Sequence, residues 1–211
     1  MVKAFIQARM SSSRFPGKVL APFKGEPVIL HVLRQISKVM PMDEIIVMTS
    51  TEVSDDPLCF YLEEQGINVF RGDLNNVFLR FKMCLEKYPC DNILRICADS
   101  PLLDADVLKK VIDYAYKGDK GFDIVTTTFP RTFPKGYNAE LIKSSVLKSI
   151  DESKLTPYEL EHVTLFFYNN PDKFNIYNVE SDNPELSKLN YAVDTVEDLK
   201  RLESIFEEAK K

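Results

Sequence analysis

The chain has 211 residues, a formal net charge of −5, 45% hydrophobic and 28% charged residues, enough length and apolar content to bury a core without disulfide or metal staples. This acidic balance excludes the general basic field that holds a nucleic-acid backbone. No stretch approaches 18 consecutive apolar residues, which excludes an apolar spanning helix.

Residues 2–8 predict a short buried strand, followed by a serine-rich loop over 10–18 that closes on Pro16-Gly17, a turn signal. Ile29, Val32, Leu33 and Ile36 give helical spacing to 27–39, with Pro27 acceptable in the first turn. A strand at 44–48, a helix at 55–65 stopped by Gly66 and a strand at 67–70 follow. Phe78, Phe81, Leu85 and Tyr88 mark one face of a helix at 75–88; then come a strand at 92–96, a helix at 104–116 and a strand at 123–127. This alternation predicts an α/β protein with a mostly parallel sheet and helices on both faces, a three-layer Rossmann-like arrangement. After Pro130 the pattern changes: a strand at 137–142, helices at 144–150 and 157–168, strands at 174–179 and 189–193, and an amphipathic helix at 196–209. One domain over 1–211 is expected.

The four cysteines, Cys59, Cys84, Cys90 and Cys97, form no CxxC pair and lie far from His31 and His162, so they read as buried reduced thiols. With Met1 leading directly into a strand, a cytoplasmic location without membrane or nucleic-acid partners is expected. His31, on an apolar helix, reads as structural.

Open α/β sheets bind ligands beyond the carboxyl ends of their strands. The first such end carries Arg9, Arg14 and Lys18 with the hydroxyls of Ser11, Ser12 and Ser13. Arginine forks onto two phosphate oxygens and lysine acts as a point charge, which makes a triphosphate cradle. A solvated basic loop has the same composition, and both readings stay open at this point. A Walker loop fails because Lys18 is followed by Val19, and no GxGxxG follows a strand. Asp99 and Asp194 each follow the end of a predicted strand, where a carboxylate offers hard oxygen to Mg²⁺ or caps a helix. Asp104 and Thr195 are better placed for the caps, and Asp198 reads as a surface or supporting group of the last helix.

The segment Ala8-Arg9-Met10-Ser11-Ser12-Ser13-Arg14-Phe15-Pro16-Gly17-Lys18 resembles the ARxxSxRxPGK signature of sugar-acid cytidylyltransferases, the acylneuraminate and 3-deoxy-manno-octulosonate enzymes. The nearest branch is the spore coat polysaccharide biosynthesis protein F-like one. Further segments similar to the family follow in order: Phe70-Arg71-Gly72-Asp73, Ala98-Asp99-Ser100-Pro101-Leu102, Glu161-His162-Val163-Thr164 and the run from Val193 to Leu199. The resemblance implies a nucleotide-diphospho-sugar transferase (GT-A-like) fold and transfer of CMP from CTP to an acidic sugar for surface polysaccharide. It also implies Mg²⁺ on Asp99 and Asp194, Arg14 and Lys18 as catalytic cations, and a homodimer. Nucleotide contacts then fall on Ala8, Arg9, Ser11, Ser12, Ser13, Arg71, Gly72 and Asp73, and acceptor contacts on Tyr137, Asn138, Glu140 and His162. Residues 1–128 would bind nucleotide, and 129–211 the acceptor and the partner subunit. Lys135 and Asn138 stand where the branch usually has acidic residues, and Leu160 where arginine is common. These departures leave open a non-sugar acceptor or a catalytically silent homologue.

Overall fold

The computed structural model describes residues 1–116 and 121–208. Nine strands are β1 (Val2–Gln7), β2 (Pro22–Phe23), β3 (Glu26–Pro27), β4 (Ile45–Ser50), β5 (Asn68–Gly72), β6 (Asn92–Cys97), β7 (Ile124–Thr126), β8 (Glu140–Lys143) and β9 (Ile176–Asn178) among the described residues. The helices there are α1 (Val28–Ser37), α2 (Asp56–Glu64), α3 (Val77–Lys87), α4 (Ala105–Ile112), α5 (Ser144–Ser149), α6 (Pro157–Glu161), α7 (Leu165–Asn169) and α8 (Val196–Glu208).

Seven strands form one sheet in the order β5-β4-β1-β6-β8-β7-β9. All neighbours are parallel except those of β8, which runs against β6 and β7. The chain steps outward from β1 to β4 and β5, then returns to place β6 on the other side of β1. That reversal opens a crevice above the carboxyl ends of β1 and β6, where an α/β sheet takes its ligand.

The strands are apolar because both faces are covered. Ala4 and Ile6 of β1 pack with Val47, Leu94 and Ile96 beneath α1, α2 and α4. Phe5 points the other way, into Phe78, Phe81, Leu147 and Phe167 of α3, α5 and α7. The sheet is therefore the middle of three layers, a mixed, mostly parallel Rossmann-like α/β fold as expected. A third cluster joins Phe23 and Val28 to Val193, Leu199 and Leu202, so α8 returns to the β2–β3 hairpin. This hairpin turns through Lys24 and Gly25, both at positive φ, as a two-residue primed turn requires. The contact matters for the site, because it brings the carboxyl end of the phosphate-type loop beside Asp194.

Several boundaries differ from the sequence reading. The 157–168 helix is two short helices, broken at Val163, which is fully buried with φ 20. The strand expected at 189–193 is an extended segment outside the sheet, with a single bridge from Lys135 to Asn190. Its backbone bonds go to loops instead: Lys135 N–H to the Leu189 carbonyl and Val193 N–H to the Asp99 carbonyl. The strand expected from 137 begins at Glu140, and the helix at 104–116 is α-helical only to Ile112 before a 3₁₀ turn. Gly66 ends its helix in the left-handed region, at φ 71. Asp104 caps α4 through the backbone N–H groups of Asp106 and Val107, as expected. Residue 209, the expected end of the last helix, lies outside the described residues. No helix among the described residues is long and apolar enough to cross a membrane.

Candidate active site

The loop after β1 is tied down from below. Gly17 N–H and Ser12 N–H both donate to the Met10 carbonyl, and Met10 N–H donates to Asp55 Oδ1 at 2.7 Å. Asp55 is fully buried and also accepts from Thr49 Oγ1, Ser50 N and Ser50 Oγ. Burial would raise its pKa, but the bonds from Ser50, Met10 and Thr49 outweigh that and hold it below the usual carboxylate range. The sequence reading took Asp55 only as the start of a helix. An acidic side chain that anchors a cationic loop leaves no local signature.

Lys18 lies at the centre of the site. Its Nζ donates to Asp99 Oδ2 at 2.8 Å, to the Val193 carbonyl at 2.8 Å and to Asp194 Oδ1 at 3.3 Å. Burial works to lower the Lys18 pKa, yet the charge and hydrogen bond of Asp99, then those of Asp194, raise it. Arg14 reaches Asp194 Oδ1 at 2.9 Å from the exposed rim. Asp194 is oriented by its own backbone, since its N–H donates to Asp198 Oδ2 at 3.2 Å. Asp198 also accepts from Thr195 N–H, while Thr195 Oγ1 accepts from Asp198 N–H. This reciprocal pair caps α8, so Asp198 serves the site as a support.

These groups line a cleft of about 320 Å³ at the switch point. Gln7, Arg95 and Cys97 form its floor on the α3 side of the sheet, Val77 and Arg80 come from α3, and Glu161 and His162 close it from the end of α6. Of the expected residues, Ala8, Arg9, Ser12, Ser13, Arg14, Lys18, Asp99, Asp194 and His162 meet here. Arg9 crosses the cleft to Glu161 Oε1 at 3.2 Å. Cys97 is a free thiol whose pKa burial pushes up to about 11, so it is protonated and no nucleophile at neutral pH.

The remaining expected residues are not part of that lining. Arg71 turns away to the Ser50 and Glu52 carbonyls and to Asp56. Asp73 caps the next turn through Asn75 and Asn76 N–H. Gly72 supports the wall: a Cβ there would meet Arg80 Cγ at 2.8 Å. Arg80 itself is 2% exposed and donates to the Asp73 and Leu74 carbonyls. Ser11 is exposed on the loop. Tyr137 lines a separate hollow with Tyr191 and Phe206, where burial pushes its pKa up to about 12. Asn138 accepts from Arg131 at 2.7 Å. Glu140 is 3% exposed, its carboxylate taken by Arg95 and the Tyr168 hydroxyl. His31 is buried against the Phe23 carbonyl at 2.9 Å, a structural role as expected. Gln7, Arg80, Arg95, Cys97 and Glu161 are cleft residues that the sequence reading did not select.

Lys135 is a further addition, with Nζ 2.7 Å from Asp194 Oδ2. Its backbone is clasped to 189–191 because Gly136, at φ 105, lets the two chains touch. A Cβ on Gly136 would lie 2.6 Å from the Tyr191 carbonyl carbon and 2.9 Å from Ala192 N. Gly136→Ala is therefore expected to cost about 3 kcal/mol or more, from positive-φ strain plus a backbone collision. A chemical denaturation midpoint equal to wild type would show that the clasp is not rigid.

The donors of the site suit a divalent ion. Asp99 Oδ2, Asp194 Oδ1 and the Val193 carbonyl converge on one cation, the Lys18 ammonium. These are hard oxygens, two of them anionic, and Mg²⁺ takes such ligands one or two at a time while keeping waters or phosphate oxygens. Among the described residues no group of three His, Cys, Asp or Glu side chains gathers to hold an ion by itself. The donor set fits an ion held weakly by the two carboxylates with waters filling its remaining positions, and more tightly once a phosphate replaces those waters.

A mostly parallel sheet whose switch point carries a cationic loop beside two carboxylates is arranged for a phosphate-bearing ligand. The chain belongs to the cytidylyltransferase family, whose sequence model matches residues 4–211. It is 31% identical over 214 residues to the spore coat polysaccharide biosynthesis protein SpsF of Bacillus subtilis, covering 97% of this chain and 85% of that protein. A 3-deoxy-manno-octulosonate cytidylyltransferase of Nitratiruptor sp. is 30% identical over 129 residues, 57% of this chain and 50% of that one. The solved structure of a cytidylyltransferase from Leptospira borgpetersenii serovar Hardjo-bovis superposes with a TM-score of 0.92 at 30% identity, over 98% of this chain and 87% of that one.

Proposed function

We propose that this chain transfers CMP from CTP to an acidic sugar, releasing pyrophosphate, in the synthesis of a surface polysaccharide. The observation that carries the reading is the meeting of Lys18 with Asp99 and Asp194 beneath a loop bearing Arg9 and Arg14. The likeness to a 3-deoxy-manno-octulosonate cytidylyltransferase supports the choice of CTP and of a sugar acid.

In this reaction a sugar hydroxyl oxygen forms a bond to the α-phosphorus, the bond to the β-phosphate oxygen breaks, and the hydroxyl proton is lost. CTP carries about four negative charges that repel an anionic acceptor. Arg14 and Lys18 oppose that repulsion and hold the pyrophosphate where its charge grows. The tied loop keeps these cations in place before the substrate arrives, so little reorganisation is needed during transfer. Asp99 and Asp194 would hold Mg²⁺, which supplies Lewis-acid polarisation of the phosphate. The same reading carries a homodimer and a cytoplasmic site of action.

Pyrophosphate release from CTP, with a panel of sugar acids as acceptors, tests the proposal. Release is expected with at least one sugar acid, to exceed that from UTP or ATP, and to stop when EDTA removes divalent ions. Release only with a phosphorylated non-sugar acceptor would replace the acceptor assignment, and tight CTP binding with no turnover would overturn the enzymatic one.

A further inference from the structure

Among the described residues Asp194 gathers three cations. Arg14 and Lys18 both approach Oδ1, and Lys135 takes Oδ2 at 2.7 Å. Asp99, the other carboxylate, has Lys18 as its ion-pair partner and the Ser100 hydroxyl on Oδ1. The two carboxylates are therefore treated unequally: Asp194 has two cations that Asp99 lacks, Arg14 of the loop and Lys135 of a segment remote in sequence from both.

That segment is built to deliver a charge. Lys135 donates its N–H to the Leu189 carbonyl and accepts from Tyr191 N–H, and Gly136 permits the close approach described above. The backbone of Lys135 is fixed beside the segment that leads to Asp194, while its side chain is 47% exposed. A pinned backbone with an exposed stem holds an ammonium at high local concentration without burying it. The carboxylate is mostly buried but the ammonium side chain is half-exposed, so a competitor of higher charge can reach the pair from the solvent side and draw Asp194 more strongly than one ammonium does.

We propose that Lys135 is a tethered cation that competes with a divalent ion for Asp194 and so sets the ion concentration at which the site loads. The proposal rests on the reading of Asp99 and Asp194 as the ion-holding pair. Two effects act together on a divalent ion that approaches Asp194: it must break the Lys135 pair, and it meets the repulsion of the ammonium a few ångströms away. When the ion takes Asp194, the released ammonium stays tethered near that carboxylate.

The test uses Mn²⁺ as the probe, with free Mn²⁺ measured by electron paramagnetic resonance as nucleotide-free protein is added. Lys135→Met keeps the apolar stem and removes the charge. It is expected to bind Mn²⁺ about tenfold more tightly than wild type. The added change Asp194→Asn is expected to abolish that gain. Equal affinity in wild type and Lys135→Met, or no Mn²⁺ binding by either, overturns the proposal. A gain that survives Asp194→Asn overturns it too, because the competition would then lie elsewhere. CTP binding by calorimetry, run on the wild-type protein in the presence of Mn²⁺, reads the nucleotide assignment separately. Loss of CTP binding with the Mn²⁺ difference intact would sink that assignment and leave Lys135 as a competitor for Asp194.

Discussion

Lys18→Ala is expected to lower turnover with CTP by about a hundredfold, ~2.7 kcal/mol of lost transition-state stabilisation. One ammonium touches Asp99, the Val193 carbonyl and Asp194, so its removal takes away both a cation for the leaving pyrophosphate and the link between the two carboxylates. Asp194 keeps Arg14 and Lys135 as partners, which should spare the fold. Steady-state kinetics of pyrophosphate release measure the effect, and circular dichroism checks that the fold survives. Lys18→Arg should recover only part, since a planar fork does not reproduce three contacts made by a point charge. Kinetics of Lys18→Ala indistinguishable from wild type would remove Lys18 from the mechanism.

The second large effect concerns stability. Arg95 on β6 and Glu140 on the neighbouring β8 are opposite each other in the ladder and paired inside the protein. Tyr168 donates to Glu140, and its own hydroxyl is shared with Thr126 and Thr128. Burial works to lower the Arg95 pKa, but the charge of Glu140 more than compensates and raises it. Glu140→Gln leaves that guanidinium without a counter-charge, and the expected cost is about 3 kcal/mol or more. For a chain of this size that lowers the thermal midpoint by about 10 °C. Replacing both partners with apolar residues, Arg95→Met with Glu140→Leu, should recover much of the loss, because the penalty lies in the stranded charge and not in the missing pair. A midpoint for Glu140→Gln within 1–2 °C of wild type, on the order of the smallest shifts of this kind, would show that water reaches Arg95.

The elements that the sequence reading places correctly are those whose signal is local. β1, β4 and β6 are short apolar runs closed by polar loops, and both faces of the sheet demand such runs. Gly66 and Asp104 do what their residue types do at helix ends. The elements it misplaces have backbone partners in other loops. Residues 189–193 look like a strand because Val193 is buried under α8, yet their hydrogen bonds go to Lys135 and Asp99. The helix expected at 157–168 keeps an apolar face throughout, but the buried turn at Val163 breaks it.

The site divides the same way. The order of charges and hydroxyls from Arg9 to Lys18 is a property of consecutive residues, so a cationic loop after the first strand and the mostly parallel α/β class were legible from the chain alone, while the pairing of that loop with Asp99 and Asp194 rested on the family resemblance. Which side chains actually meet was decided by the tertiary structure. Asp99 and Asp194 converge because β6 lies next to β1 and α8 folds back onto the β2–β3 hairpin. Lys135 joins them through the clasp at Gly136, while Glu140 turns inward to Arg95. A side chain's charge is written in its residue type, but the distance to its partner is set by how remote segments cross, and electrostatic energy depends on that distance.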